Sequence, residues 1–336
     1  MANRLFLRPH EVRNRHCGGF RQPAARCSAK PCSLRLEAFR KTGRTLVYAE
    51  STSHEPDGIW RADLAGAGGP VLSNRKLIST QFDEVAAQPS PDGSRIVWES
   101  ERSGSRGIWL SDATGTNPLQ LTACGEICGT PRWSPDGKWI TFDNYTSKGV
   151  QIFVVDSEGR NLHPITDGSY PSEVPSWSRD GKWIYFASKR TGNFEVWKHS
   201  LESGTEIQLT AHGGFGPFES YDGRTIYFSR FDEGGIWSVP VQGGTETQVV
   251  ADKPQVRYWG NWAVTRTGLY LLDAEAEPRP RIEFYDFRTQ RISPVLNIEK
   301  RPAWYEAGLS ATADGRTIYY NQWDLQSVIK MMEFSR

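Results

Sequence analysis

Arginine and aromatic side chains recur at matching places along this chain. Arg102 and Arg190 hold equivalent positions in two copies of a repeated phrase, and Arg230 follows in a third copy. Five aromatic residues are expected in loops of the same face: Tyr145, Tyr170, Phe215, Tyr258 and Trp259. Such side chains combine contact area with directed polar contacts, so they are enriched in binding hot spots. They predict a binding surface, and the alternative is that the arginines form salt bridges between repeats and the aromatic residues cap the core, since recurrence in a repeat more often reflects packing than recognition.

Scattered carboxylates could supply a different chemistry. Glycosidases use two carboxylates on either side of the bond they cleave, and folding sets the distance between the two groups. Asp143, Glu173 and Asp232 are candidates for such a pair. None of the six histidines lies beside a serine in a nucleophile elbow, and the sequence Gly-x-Ser-x-Gly does not occur. We therefore expect no catalytic step, and a hydrolase or lyase that acts on sugar or peptide is the alternative.

Cysteine and aspartate residues give weak signals for metal binding. Cys124 and Cys128 have neither a second pair nor a nearby histidine, so zinc is disfavoured. A local disulfide in an oxidising compartment and two free thiols both remain open. Five aspartates precede glycines at spacings too wide for a calcium loop, and they are typical of tight turns. They are Asp92, Asp136, Asp180, Asp222 and Asp314. We predict neither a metal nor a cofactor.

A repeated phrase must position all of these residues. Each copy contains a short strand that ends at a turn with glycine, an apolar second strand, a polar loop, an apolar third strand and a polar fourth strand. The turn glycines are Gly43, Gly93, Gly137, Gly181, Gly223, Gly268 and Gly315. These glycines are 42 to 50 residues apart. Repeats of this length with four strands each are typical of propellers. The sequence therefore predicts an all-β fold, a seven-bladed β-propeller of four-stranded antiparallel blades around a central channel.

The two ends of the chain differ from this pattern. The last unit stops after its third strand, so ring closure needs a strand from the N-terminal side, where 20–31 is a poor strand former. Residues 1–40 carry a net charge of +7 and the remainder −6. We expect residues 1–32 to be a disordered or non-native leader and 33–336 to be one propeller. The mildly acidic body disfavours nucleic-acid binding, and no apolar run is long enough for membrane insertion.

The most complete copies of the phrase carry a family resemblance. Trp-Ser-Pro-Asp-Gly-Lys-x-Ile-x-Phe stands at 133–142 and, with Arg179 in place of proline, at 177–186. These units resemble the TolB-like, WD-like β-propeller repeat over about nine-tenths of the chain. The sequence also resembles the C-terminal propeller of larger bacterial proteins that carry a winged-helix or kinase module. That resemblance implies a monomer, or a domain tethered to a missing upstream module.

The resemblance implies a binding or scaffold propeller rather than an enzyme. It would engage a protein, peptide or carbohydrate through its loop face, where the arginines and aromatic residues are expected. A further alternative is the extracytoplasmic sensor domain of a transcriptional regulator or kinase whose N-terminal module is missing. The resemblance and the cysteine pair favour the periplasm, whereas the lack of a secretory signal favours the cytoplasm for the sequence as written.

Overall fold

The computed structural model describes residues 38–42, 45–122, 127–231, 233–251, 259–300 and 308–333. For 38–42, 45–57 and 323–333 it describes the strand assignments alone. The chain divides into a large unit, Thr52–Ser327, and a small unit of Met1–Ser51 with Val328–Arg336. In the small unit, β1 (Ala38–Thr42) pairs antiparallel with the first residues of β2 (Thr45–Leu64). The predicted leader, 1–32, lies outside the described residues.

The large unit is built from four-stranded antiparallel sheets, and each sheet is one blade. Blades 1 to 5 each take four consecutive strands, so hairpins join the strands within a blade. The remaining strands, in chain order, are β3 (Val71–Ile78); β4 (Glu84–Pro89), β5 (Arg95–Ser100), β6 (Gly107–Asp112) and β7 (Leu119–Gln120) in blade 1; β8 (Ile127–Trp133), β9 (Trp139–Thr146), β10 (Gly149–Asp156) and β11 (His163–Pro164) in blade 2; β12 (Ser172–Trp177), β13 (Trp183–Ser188), β14 (Glu195–Ser200) and β15 (Glu206–Gln208) in blade 3; β16 (Phe215–Glu219), β17 (Thr225–Ser229), β18 (Ile236–Pro240) and β19 (Thr247–Val250) in blade 4; β20 (Trp262–Val264), β21 (Gly268–Asp273), β22 (Arg281–Asp286) and β23 (Arg291–Asn297) in blade 5; then β24 (Leu309–Ala311) and β25 (Thr317–Glu333). A 3-10 turn, Trp259–Asn261, precedes β20, and within the described ranges no helix has the length and apolar character needed to cross a bilayer.

The sixth blade combines strands from the two ends of the large unit. Its order is β24, β25, β2 and β3, so the C-terminal side supplies the two inner strands and the N-terminal side the two outer ones. Leu309 pairs with Tyr320 in the inner hairpin, and Ile59 pairs with Ile78 in the outer one. The described residues therefore form six blades, and the prediction of seven blades is wrong.

The extra blade in the prediction has a local cause. The hairpin of β1 and β2 surrounds Gly43 and has the turn-and-strand pattern of a blade, but β1 belongs to the small unit. A hairpin signal specifies which two strands pair and does not specify the sheet that they join. The predicted first and last units are thus two parts of one blade. Closure uses β2 and β3, whereas the predicted closing segment, 20–31, lies outside the described residues.

The turn between the first two strands of a blade is stabilised by its own side chains. In blade 2, Ser134 Oγ donates to Asp136 Oδ1 at 2.6 Å, and the Lys138 N–H donates to the same oxygen at 3.1 Å. Gly137 adopts φ +69°, a left-handed conformation that glycine accepts without strain. Asp92, Asp180, Asp222 and Asp314 make the same pair of contacts in other blades. These aspartates therefore have the turn role that the sequence indicated.

The core lies between neighbouring blades. Val97 and Ile108 of blade 1 pack against Ile140 and Phe142 of blade 2, and all four side chains are fully buried. Burial of a large apolar side chain contributes about 1.5–3 kcal/mol. The first strands of the blades are the innermost and surround the channel, so this packing determines where their side chains lie.

Each inner strand of blades 1 to 4 contains a bulge with a left-handed residue. Ala86, Thr130, Val174 and Gly216 have φ values of 55°, 54°, 52° and 61°, and the strand register shifts at each of them. Positive φ is strained for β-branched residues such as threonine and valine. Carboxylates of the preceding blade hold two of these bulges: the Thr130 N–H donates to Glu99 Oε1 at 2.6 Å, and the Val174 N–H donates to Asp143 Oδ2 at 2.9 Å.

Candidate binding site in the central channel

The channel has two chemically different ends. We call the end beside the Asp-Gly turns the turn end, and the opposite end, where the second strands of the blades finish, the loop end. At the turn end a cavity of about 400 Å³ lies among the inner strands of all six blades. One lining residue from each blade, in order, is Pro89, Trp133, Trp177, Phe218, Trp262 and Leu309. The turn end is therefore a largely aromatic pocket with contributions from every blade.

Three arginines line this cavity. The guanidinium of Arg132 lies over the ring of Phe218 at 5.2 Å from its centroid. Those of Arg179 and Arg266 lie over the ring of Tyr221, at 3.7 and 5.2 Å. All three cations thus gather around one segment of blade 4. Favourable contacts with the faces of aromatic rings stabilise them without neutralising their charge.

The contacts of these arginines leave them without a carboxylate partner. Among the described residues, no salt bridge includes Arg132, Arg179 or Arg266. Arg179 donates to the backbone oxygen of Glu219 at 2.7 Å, and Arg132 donates to that of Pro131 at 2.9 Å. Burial lowers the pKa of Arg132 to about 10, while the charges of Glu99 and Asp143 act to raise it. Arg132 therefore remains a cation at neutral pH.

Some buried donors in the wall of the cavity have no hydrogen-bond acceptor. Among the described atoms, Arg132 Nε and the indole nitrogens of Trp133 and Trp262 are buried and unpaired. Only 7% of Arg132 is exposed. Buried polar groups are hydrogen-bonded in nearly all native proteins, so these donors can each bind an acceptor atom of a ligand.

Carboxylates dominate the loop end. Burial raises the pKa of Asp143 to about 7, and the neighbouring charge of Glu173 raises it further against the hydrogen bonds from Val174 and Thr130. Burial also raises the pKa of Glu173 and brings that of Tyr145 to about 12. Among the described residues, no group of three or more His, Cys, Asp or Glu side chains is arranged to hold a metal ion. The loop end is thus acidic, and burial favours the protonated, neutral forms of its carboxyl groups.

The three arginines predicted to bind a partner are each held within their own blade. Arg102 donates to Glu84 Oε1 at 2.8 Å and lies 4.8 Å from the ring of Trp109. Arg190 pairs with Glu206 and lies 4.4 Å from the ring of Trp197. Arg230 pairs with Glu246 and lies 3.6 Å from the ring of Trp237. These contacts give the arginines a structural role, so their binding of a partner stays a prediction.

The predicted aromatic residues do not form one surface. Tyr145 and Tyr170 are exposed, whereas Phe215 and Trp259 are buried. Phe215 contacts the exposed Phe231, whose ring is 4.6 Å away and which the sequence analysis missed. Tyr258 and the candidate carboxylate Asp232 lie outside the described residues.

One member of the predicted cysteine pair is described. Cys128 is disulfide-bonded, and Cys124 lies outside the described residues. The pairing of these two cysteines therefore stays a prediction.

Sequence analysis also missed the cationic residues of the turn end. Arg132 and Trp133 belong to the repeated phrase itself, so they were interpreted as part of the fold. Arg179 carried a signal, because it replaces the proline that follows Trp-Ser in the other complete copy. Its guanidinium reaches the next blade, where it donates to the Glu219 backbone oxygen and lies over Tyr221, contacts that proline could not make.

Comparisons with known proteins agree with this architecture. Residues 90–257, half of the chain, match the family of the TolB beta propeller domain. A comparison with curated proteins found no match.

Solved structures share the fold at low sequence identity. A protein described as TolB from Agrobacterium tumefaciens aligns with a TM-score of 0.66 and 22% identity, over 81% of this chain and 99% of its own. TolB from Acinetobacter baumannii aligns with a TM-score of 0.57 and 16% identity, over 81% and 65%. A puromycin-hydrolyzing peptidase of Mycobacterium tuberculosis aligns with a TM-score of 0.53 and 11% identity, over 81% and 55%. At these identities the likeness establishes the fold alone.

Proposed function

Because this chain belongs to the TolB beta propeller domain family, we propose that it is a binding or scaffold propeller without a catalytic step. Its ligand, a protein, peptide or carbohydrate, enters the turn end of the channel. This is the opposite end from the loop face predicted from the sequence, where the arginines are paired within their blades. One observation carries the proposal: the turn-end cavity contains three arginines that form no salt bridge with a described residue.

The carboxylates near the channel support binding better than catalysis. Asp143 Oδ2 accepts hydrogen bonds from the Val174 N–H and from Thr130 Oγ1, at 2.9 and 2.8 Å. This oxygen holds a strained bulge, so Asp143 has a structural role, and its pKa is raised by burial. Among the described residues that line the turn-end cavity, Glu219 is the one carboxylate. A glycosidase mechanism needs two.

The compartment that best suits this function is the periplasm. Cys128 is disulfide-bonded, and structural disulfides persist in oxidising compartments. Reaction with a thiol-specific mass label, before and after reduction, in protein isolated from the periplasmic and cytoplasmic fractions would test this assignment. Recovery of the protein only from the cytoplasm, with every cysteine reduced, would overturn it.

The binding function can be tested with immobilised protein, a peptide display library and a glycan array. We expect selected ligands to lose at least about tenfold in affinity with Arg266→Met, which removes an exposed cation of the cavity. Arg224→Met is the matched control, because Arg224 is exposed in a nearby turn and does not line the cavity. Tyr170→Ala is the control for the loop end.

Two results would contradict this proposal. One is a ligand that loses affinity with Tyr170→Ala and retains it with Arg266→Met, since that ligand would bind the loop end. The other is a ligand that mass spectrometry shows to be cleaved by the wild-type protein.

A further inference from the structure

Arg132 is a buried cation that lacks a direct counter-ion. Only 7% of the residue is exposed, its Nε atom is unpaired, and no described carboxylate forms a salt bridge with it. Removing a charge from water is costly unless the charge is paired and hydrogen-bonded. The charges of Glu99 and Asp143 stabilise this cation only from a distance. An anionic group in the cavity would supply the missing partner.

The three arginines form a path from the mouth of the cavity to its interior. Arg266 is exposed, Arg179 is half-buried and Arg132 is buried. Arg179 and Arg266 lie on the same ring, that of Tyr221, and Arg132 lies on Phe218 of the same segment. A row of cations with decreasing exposure attracts an anion at the entrance and binds it more strongly where water is excluded.

One carboxylate belongs to the cavity itself, and its contacts leave the arginines unpaired. Glu219 Oε2 accepts a hydrogen bond from the backbone N–H of Arg179 at 2.9 Å. The side chain of Tyr185 also donates to Glu219, and burial raises the pKa of this carboxyl. Glu219 is therefore held by local donors and does not neutralise the guanidinium groups in salt bridges.

The remaining polar side chains of the cavity favour a peptide over a sugar. Sugar hydroxyls need many polar partners, but several hydroxyl groups in this wall already donate within the protein. Ser90 donates to Asp92, Ser176 to the Pro217 backbone, Ser310 to the Ala87 backbone and Thr312 to Asp314. About half of the wall is apolar, which suits the aliphatic and aromatic side chains of a peptide.

We infer that the turn-end cavity recognises a carboxylate group of a peptide, with Arg266 and Arg179 at the entrance and Arg132 as the buried partner. The inference rests on the proposed binding function and adds the chemical class of its ligand. The carboxylate comes either from an acidic side chain or from a free C-terminus, since both present the same pair of oxygens to a guanidinium.

Three short peptides distinguish recognition of a side-chain carboxylate from recognition of a C-terminal carboxylate. Acetyl-Gly-Gly-Glu-Gly-Gly-amide carries only a side-chain carboxylate, and acetyl-Gly-Gly-Gln-Gly-Gly with a free C-terminus carries only a terminal one. Acetyl-Gly-Gly-Gln-Gly-Gly-amide carries neither. Titration calorimetry with the full chain should detect at least one of the first two peptides at millimolar concentration and should not detect the third. The affinity should fall as salt is added, because the entrance arginines are exposed.

Matched variants locate the binding. Arg266→Met and Arg179→Met should each lower the affinity about tenfold, as expected when a charge-assisted hydrogen bond is lost. Arg224→Met should leave it unchanged. Arg132→Met should abolish binding, and Arg132→Lys should restore part of it. The melting temperature of each variant verifies its fold, and Arg266→Met gives an independent answer because its side chain is exposed.

Several outcomes would overturn the inference. These are equal binding of the neutral peptide, an affinity that is unchanged in Arg266→Met and Arg179→Met, no binding of either carboxylate peptide, and tighter binding of glucuronic acid than of both peptides. If a neutral library ligand still binds the turn end, the carboxylate inference fails while the proposed binding function stands. If no ligand of any class requires the turn end, both fail.

Discussion

Arginines lie on aromatic rings at both ends of the channel, but their counter-ions differ. At the loop end, Arg102, Arg190 and Arg230 each pair with a glutamate of the same blade. At the turn end, Arg132, Arg179 and Arg266 form no salt bridge with a described residue. The stacking distances are similar, since Arg230 lies 3.6 Å from its ring centroid and Arg179 lies 3.7 Å from its own.

This difference separates arginines that build the fold from arginines available to a ligand. An arginine that recurs with its glutamate and its tryptophan is explained by the stability of the blade. An arginine that stacks on a ring and donates only to backbone oxygens keeps a charge that no carboxylate compensates in a salt bridge. The turn end is therefore the better candidate for recognition, although the loop end has the more regular pattern.

The largest expected effect comes from removing one buried arginine at each end. Arg132 and Arg230 are equally buried, with 7% of each residue exposed. Arg230→Met removes the guanidinium partner of Glu246, which keeps the hydrogen bond from the Ala211 N–H, and should lower the free energy of unfolding by about 1.5–3 kcal/mol. Arg132→Met removes an unpaired charge and should change it by less than about 1 kcal/mol. Urea denaturation of both variants measures the difference.

A double variant controls this comparison. Glu246→Gln in the Arg230→Met background should recover part of the lost stability, because it removes the unpaired carboxylate. Equal destabilisation by Arg132→Met and Arg230→Met would show that the cation at the turn end is as structural as that at the loop end. The distinction between the two ends would then fail.

The second effect is a pH dependence of folding stability that originates at the loop end. Burial raises the pKa of Asp143 from 3.8 to about 7, so the folded protein binds this proton more tightly than the unfolded chain does. The resulting stabilisation is complete below about pH 4 and is lost as the pH rises towards 7. Glu173 acts in the same direction, because burial raises its pKa too. Asp143→Asn should therefore flatten the fall in melting temperature between these two pH values.

A carboxylate at the turn end gives the opposite pH dependence of stability. Hydrogen bonds from Ser90 and Ser94 lower the pKa of Asp92 to about 2. The stability that this carboxylate contributes is present above about pH 4 and is lost as the pH falls towards 2. Asp92→Asn should thus lower the stability above about pH 4 and flatten its fall between about pH 4 and pH 2. If Asp143→Asn left the profile unchanged between pH 4 and 7, Asp143 would not be the source of the dependence.

Sequence reasoning predicted the propeller and failed where distant parts of the chain meet. The Ser-x-Asp-Gly turns are local, so their hydrogen bonds could be inferred from spacing. The blade number depends on whether 45–64 joins 317–333, which no local pattern reports. Likewise, the pairing of Arg230 with Glu246 and the lack of a pair for Arg132 follow from the packing of strands. Arg179 and Arg266 both stand two residues before the turn glycine, where the complete copy has Pro135, and these two departures from the repeat pointed to the turn end.

A smaller effect concerns the backbone of the turn end. Gly181 has φ +70°, and a Cβ added there would meet no atom within 4 Å, so Gly181→Ala tests conformational strain alone. It should lower the free energy of unfolding by about 1 kcal/mol. Gly66 is the control, because it has equal space and no positive φ. Equal effects of Gly181→Ala and Gly66→Ala in urea denaturation would show that the turn tolerates alanine.

The last prediction concerns the ring that Arg179 and Arg266 share. Tyr221→Leu removes two cation–π contacts near the surface, each contributing about 0.5–1 kcal/mol. Without the ring, the two guanidinium groups lose their common position at the entrance of the cavity. The affinity for the carboxylate peptides should therefore fall. The lost binding free energy should exceed the change in the free energy of unfolding. Tyr227→Leu is the control, because Tyr227 stacks on Phe287 outside the cavity. If both variants leave peptide affinity unchanged, the ring serves the fold at the turn end as Trp237 does at the loop end.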